Sequence, residues 1–123
     1  MAYVDGFVIP MAKKKLAAYR KMAKVGCKVW LEHGALEYRE CIGEDLAVSY
    51  GLPFTKLTKA KKDETIAFSW ILYKSRKHRD TVMAKVMKDK RLASMMDPKN
   101  MPFDMNRMSC GGFEVMVEGV RRR

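Results

Sequence analysis

Along the chain the spacing of apolar positions switches between two and about 3.6 residues, and each switch marks a new element. Residues 3–9 (YVDGFVI) are rich in β-branched and aromatic types and run into Pro10, which predicts a strand ending there. Between residues 13 and 33 the period becomes helical. At about 100° per residue Leu16, Tyr19, Ala23, Val29, Trp30 and His33 share one broad face, with Lys13, Lys21, Lys24 and Lys28 opposite. Gly34 stands where a helix ends on a residue tolerant of positive φ. Residues 35–42 (ALEYRECI) return to period two, with Leu36, Tyr38 and Ile42 on one side and Glu37 and Arg39 on the other, wetter side.

A long connection follows over residues 43–63, containing Gly51, Pro53 and a lysine cluster, with room for one short turn. Residues 64–73 (ETIAFSWILY) are apolar in both phases, as expected at the centre of a sheet. Ser75 is placed to cap a second helix running to about residue 88, with the stripe Val82, Met83, Val86 and Met87; residues 91–96 add a further turn. Residues 97–104 read as a loop. Residues 108–117 (MSCGGFEVMV) form a last strand in which Gly111-Gly112 marks a bulge or a close approach.

The predicted class is therefore α+β, a ferredoxin-like βαββαβ unit over residues 1–118 with a short basic tail at 119–123. Right-handed crossovers put both helices on one face of a four-stranded antiparallel-type sheet. The helices are expected to run parallel, which separates His33 from His78. Two helices cover one side only. Yet Ile66, Phe68, Trp70 and Leu72 are as apolar as the alternate set Ala67, Ile71 and Tyr73, and Val4 and Val8 oppose Tyr3, Phe7 and Ile9. A whole exposed apolar face is what monomers avoid. The economical cover is a second copy about a twofold axis, with Phe68, Trp70, Phe7 and Tyr73 as candidate interface residues.

Composition narrows the partners. With 123 residues, 48% hydrophobic and 32% charged, the chain has the makeup of one globular domain. Lys+Arg 25 against Asp+Glu 14 leaves a net charge of +11, which raises weak, electrostatic affinity for nucleic acid. The cations are dispersed, however, and a solvated basic surface is the plainer reading; the terminal Arg121-Arg122-Arg123 run is expected to fray. No apolar run approaches a membrane span, and the apolar residues 3–10 precede the basic run Lys13 to Lys15, the reverse of a signal peptide. Cys27, Cys41 and Cys110 are unpaired by spacing, so no disulfide framework, metal or cofactor is expected, and a cytoplasmic location fits.

Several segments carry a resemblance: YVDGFV at Tyr3, KVWLEHGALEYREC ending at Cys41, FSWILYKSRKHRD ending at Asp80, AKVMKD ending at Asp89, MPFD at Met101 and RMSCGGF ending at Phe113. Together they resemble the YbaA-like family of small bacterial proteins, whose biochemical role is uncharacterised. The resemblance implies a dimeric α+β barrel, within a superfamily that includes cofactor-free monooxygenases. It implies no catalytic residues.

For a ligand pocket the candidates are Trp30, His33, Tyr38, Trp70, His78, Arg79 and Arg107. Either histidine has the chemistry of a base or a ligand, though a hydrogen-bonded structural role is the plainer reading. Arg79 shares the apolar phase of the second helix and so needs a carboxylate, Asp5, Glu37 or Asp104, or an anionic ligand. No nucleotide-binding or hydrolase motif occurs, and no catalytic signature supports an enzyme. The leading expectation is a homodimer binding a small ligand between helices and sheet. The alternatives are a cofactor-independent monooxygenase and a non-specific RNA-binding protein, for which Phe68 and Trp70 would serve as stacking aromatics.

Overall fold

A computed structural model describes residues 1–121. Its strands are β1 (Tyr3–Ala12), β2 (Glu37–Ile42), β3 (Glu64–Tyr73) and β4 (Ser109–Glu114); its helices are α1 (Leu16–Glu32), α2 (Phe54–Leu57), α3 (Arg76–Val86) and α4 (Lys90–Met95). The sheet order is β2-β3-β1-β4 with every neighbouring pair antiparallel, the ferredoxin-like arrangement. The expected strand over residues 64–73 matches β3 at both ends. The Ser75 hydroxyl accepts from the His78 N–H and caps α3, and α1 ends at Gly34 with φ +115°. The long connection holds one short helix, α2. The Arg122 and Arg123 of the basic tail lie outside the described residues.

Several expectations need correction, among them the last strand, which ends at Glu114 and not at residue 117. β1 does not stop at Pro10 but continues to Ala12. Its last pair with β4 is Val8↔Ser109, so at Pro10 that side of β1 is an edge and a missing N–H breaks no ladder there. The helices do not run parallel. Because the sheet is wholly antiparallel, the end of α1 and the start of α3 meet: a side chain at Gly34 would begin 3.6 Å from His78 Nε2. Met87 also leaves the predicted stripe; it follows the last turn of α3 and faces water, while Val82 and Val86 are buried.

Register settles which side of each strand meets the helices. Tyr3↔Tyr73, Asp5↔Ile71, Phe7↔Ser69 and Ile9↔Ala67 are cross-strand partners on one face, and α1, α3 and α4 cover it. Phe7 and Tyr73 are therefore core residues and not on the open face, since they are in phase with Ile9 and Ile71. One cluster gathers Val29, Ile71, Tyr73, Val82, Val86 and Leu92; a second gathers Ile9, Met11, Tyr19, Ala23 and Ala67. Each large side chain buried there contributes about 1.5–3 kcal/mol.

The other face carries Val4, Val8, Phe68, Trp70, Leu72 and Phe113. α2 shelters one end of it, with the Phe54 ring 6.0 Å from Phe68, and Ile66 is buried. The rest stands open: Phe68 is 45% and Phe113 63% exposed.

Candidate functional site

Two polar centres lie on the covered face. The first begins at Asp5 of β1, whose neighbour is Arg79, one turn into α3. Ser75 starts the helix so that Arg79 shares the inward phase with Val82 and Met83. Arg79 Nη1 donates to Asp5 Oδ1 at 2.6 Å, its Nε donates to Asp80 at 2.8 Å, and the guanidinium sits 4.9 Å over the Tyr3 ring. Behind this pair the Tyr73 hydroxyl accepts from Trp30 Nε1 at 3.2 Å. Burial raises the Asp5 carboxyl above its ordinary range, and the attraction of Arg79 only partly reverses that. The buried charge is matched, not surplus.

The second centre is Glu40 of β2, which register places opposite Ser69 on the helix side of the sheet. Tyr19 of α1 donates its hydroxyl to Glu40 Oε1 at 2.6 Å, and Tyr38 donates to Oε2 at 2.9 Å. Burial, then the adjacent carboxylate, pushes both phenols far above the ordinary tyrosine range. They remain protonated donors, one on each oxygen of the carboxylate.

Between these centres the helices and sheet enclose a cleft of about 370 Å³. Phe7, Trp30, Tyr38, Ile71 and Phe103 give it aromatic and aliphatic walls, and Met22, Met83, Met95, Met101 and Met108 add pliant thioethers. A second cavity of about 470 Å³ opens between α1 and the β2 edge, with Arg20 and Lys24 at its wall. Both cavities are lined by Tyr19, Tyr38 and Glu40, so this trio is the partition between them.

Of the residues singled out from sequence, Trp30, Tyr38 and Arg79 are brought together at the cleft. The other four are not. Trp70 projects from the open face beside Phe68, ring centres 5.7 Å apart, because it is out of phase with Ile71. His33 at the end of α1 meets Asp89 at 2.8 Å, and Arg91 bridges Asp89 and Glu32, tying α1 to α4. His78 accepts from the Lys74 N–H at its Nδ1, 3.0 Å away, and lies edge-on to Tyr73. The histidines make no bond to each other. Arg107 clamps Glu64 at 2.6 and 2.9 Å and reaches the Lys59 carbonyl, fixing the loop before β4 to the start of β3. Arg107 holds the Glu64 carboxyl down at about 2.

Glu40, Tyr19 and Asp5 were not picked out as site residues from sequence, although Asp5 was weighed as a partner for Arg79. The signal for Glu40 was present. It is the one acidic residue in phase with Tyr38 and Ile42 on an alternating strand. Among the described residues no group of three or more His, Cys, Asp or Glu side chains gathers as a metal site, and no helix is long and apolar enough to cross a membrane.

The sequence profile of a family described as "Protein of unknown function (DUF1428)" matches residues 2–105. The "Uncharacterized protein YbaA" of Escherichia coli (strain K12) is 39% identical over 118 residues, covering 96% of this chain and 99% of that protein; the protein of that name from Shigella flexneri matches equally. Among solved structures, an uncharacterised NIPSNAP domain protein from Burkholderia xenovorans superposes with a TM-score of 0.63 at 13% identity, over 98% of this chain and 100% of its own. A dimeric ferredoxin-like protein from an uncultured marine organism does so with a TM-score of 0.57 at 12% identity, over the same shares. At such identities the likeness speaks for the fold alone.

Proposed function

Because the chain belongs to the DUF1428 family of proteins of unknown function, its role has to be read from its own site, and we propose that it is a homodimeric small-molecule-binding protein. The observation that carries this reading is the cleft. About 370 Å³ falls within the roughly 300–1,000 Å³ typical of small-ligand sites, and its walls are mostly apolar with a few convergent polar groups. Such a lining suits an amphipathic molecule with an aromatic or aliphatic body.

Dimerisation is supported by the open sheet face, where Val4, Val8, Trp70, Leu72 and the half-exposed Phe68 form one apolar surface. A structural neighbour described as dimeric has the same fold. The RNA alternative also needs that face. Its strands offer Phe68 and Trp70, but the only cation they contribute is Arg39, which is paired with Glu37 at 2.9 Å. Phosphate contacts normally dominate nucleic-acid affinity, so this surface favours a second copy over a strand of RNA.

The test is to titrate the purified protein with N-phenyl-1-naphthylamine, a neutral apolar probe whose own fluorescence rises when it leaves water. Trp30 lines the cleft and Trp70 lies on the opposite face, so truncating each in turn tells which surface holds the probe. Affinity should be kept in Trp70→Ala and fall in Trp30→Ala. The reverse pattern, or no bound probe, overturns the cleft reading.

A further inference from the structure

The cleft contains two carboxylates in different electrostatic situations. Asp5 has a counter-ion, Arg79, at 2.6 Å. Glu40 has none: among the described residues no basic nitrogen lies within 4.0 Å of its carboxylate. Its two contacts are the neutral hydroxyls of Tyr19 and Tyr38, one on each oxygen, which leaves each oxygen a further lone pair. Arg20 and Lys24 line the outer cavity, but both side chains are exposed and neither bonds to Glu40. The cleft wall therefore carries one uncompensated negative charge.

What surrounds that charge is aromatic. The Trp30 and Tyr38 rings are 6.1 Å apart and tilted, and Tyr19 packs edge-on to Phe103 at 5.8 Å. A carboxylate beside aromatic rings is the environment that stabilises a desolvated ammonium, through charge-assisted hydrogen bonds and the negative faces of the rings. An anionic head group would meet Glu40 directly, with Arg79 already occupied by Asp5 and Asp80. The overall charge of +11 opposes a cation only at long range, since surface charges are screened over about 8 Å at physiological ionic strength.

We infer that the cleft is an organic-amine site: it takes a small protonated amine with an aromatic or branched apolar body, and Glu40 receives the ammonium. This rests on the small-ligand reading above and names its ligand class.

Three near-isosteric probes test it by calorimetry at pH 7: phenethylammonium, phenethyl alcohol and phenylacetate. The ammonium should bind about tenfold more tightly than the alcohol, the advantage expected of a charge-assisted over a neutral hydrogen bond, and the carboxylate should bind least. Glu40→Gln should erase the preference while leaving alcohol affinity within about threefold. Tyr38→Phe keeps the charge and frees one carboxylate oxygen, so it should retain the preference; this variant serves if Glu40→Gln does not fold. Equal binding of ammonium and alcohol, tighter binding of phenylacetate, or a preference that survives Glu40→Gln overturns the inference and leaves the cleft reading standing. If none of the three probes binds, the cleft reading fails and the inference with it.

Discussion

The two faces of the central strands invert the usual pattern. Under the helices, β1 and β3 carry Asp5 and Ser69 among their apolar residues, and β2 adds Glu40. On the outer side β1 and β3 contribute Val4, Val8, Ile66, Phe68, Trp70 and Leu72, and β2 adds Glu37 and Arg39, which pair with each other at 2.9 Å. A two-layer protein ordinarily keeps its polar residues on the wet side. Here polar chemistry sits beneath cover and greasy surface faces out. The inner face gathers carboxylates and hydroxyls beneath the helices, and the outer face leaves apolar side chains uncovered.

The largest effect should come from putting a charge on each face in turn. Phe68→Asp is expected to yield particles of 14.2 kDa, or aggregates, in sedimentation, with circular dichroism intact. Phe7→Asp, in phase with the core, should instead remove the cooperative thermal transition. If both variants behave alike, the two faces are not functionally distinct.

Arg79→Ala should come next. It strands Asp5, and with both side chains mostly buried the loss should lie near the lower end of about 3–5 kcal/mol in urea unfolding. Arg79→Lys should fall between, because one ammonium cannot reproduce the fork that spans Asp5 and Asp80. The pH dependence sharpens the assignment. Asp5 has a raised folded pKa, so its contribution is most favourable below its ordinary 3.8 and is lost as pH rises through the folded value. The deficit of Arg79→Ala should therefore shrink on acidification. A deficit that grows would mean that Asp5 is not the stranded group.

Much of this contrast could be read from the residue pattern, and what could not has a common cause. β3, the apolar face of α1, the Ser75 cap and the Gly34 terminus each depend on a few neighbouring residues, and their signals are local. The side of the sheet that meets the helices is different. β3 is apolar in both phases, so alternation alone could not say that Tyr73 turns inward and Trp70 outward. Arg107 looked like a pocket residue because its partner, Glu64, lies 43 positions away. Glu40, a lone acid on a strand, reads as surface until Tyr19 arrives from α1.

Smaller effects test the scaffold on which both faces depend. Ser75→Ala removes the acceptor for the His78 N–H and should cost about 1 kcal/mol in the urea midpoint, with no change in mass. Smallest is the Glu64–Arg107 clamp, which is partly exposed. Glu64 is lowered from 4.5 to about 2, so the clamp stabilises fully above pH 4.5 and is lost as pH falls through 2. The difference between Arg107→Ala and the parent should be constant near neutrality and close as the solution is acidified across that window. A difference that persists at pH 2 would assign Arg107 to packing alone.

Gly26 sits in the middle of α1, where glycine weakens a helix by about 1 kcal/mol relative to alanine. A methyl group there would begin 2.9 Å from the Tyr38 hydroxyl and 3.2 Å from the Met95 side chain. The missing atom thus acts as a gauge. It sets how closely helix and strand approach, and with that the reach between Tyr19, Tyr38 and the carboxylate they share. A single carbon added at this position would prise the partition between the two cavities apart without touching any group that bears charge. The width of the chamber is thereby fixed by an atom that residue 26 lacks, on the same helix that carries Tyr19.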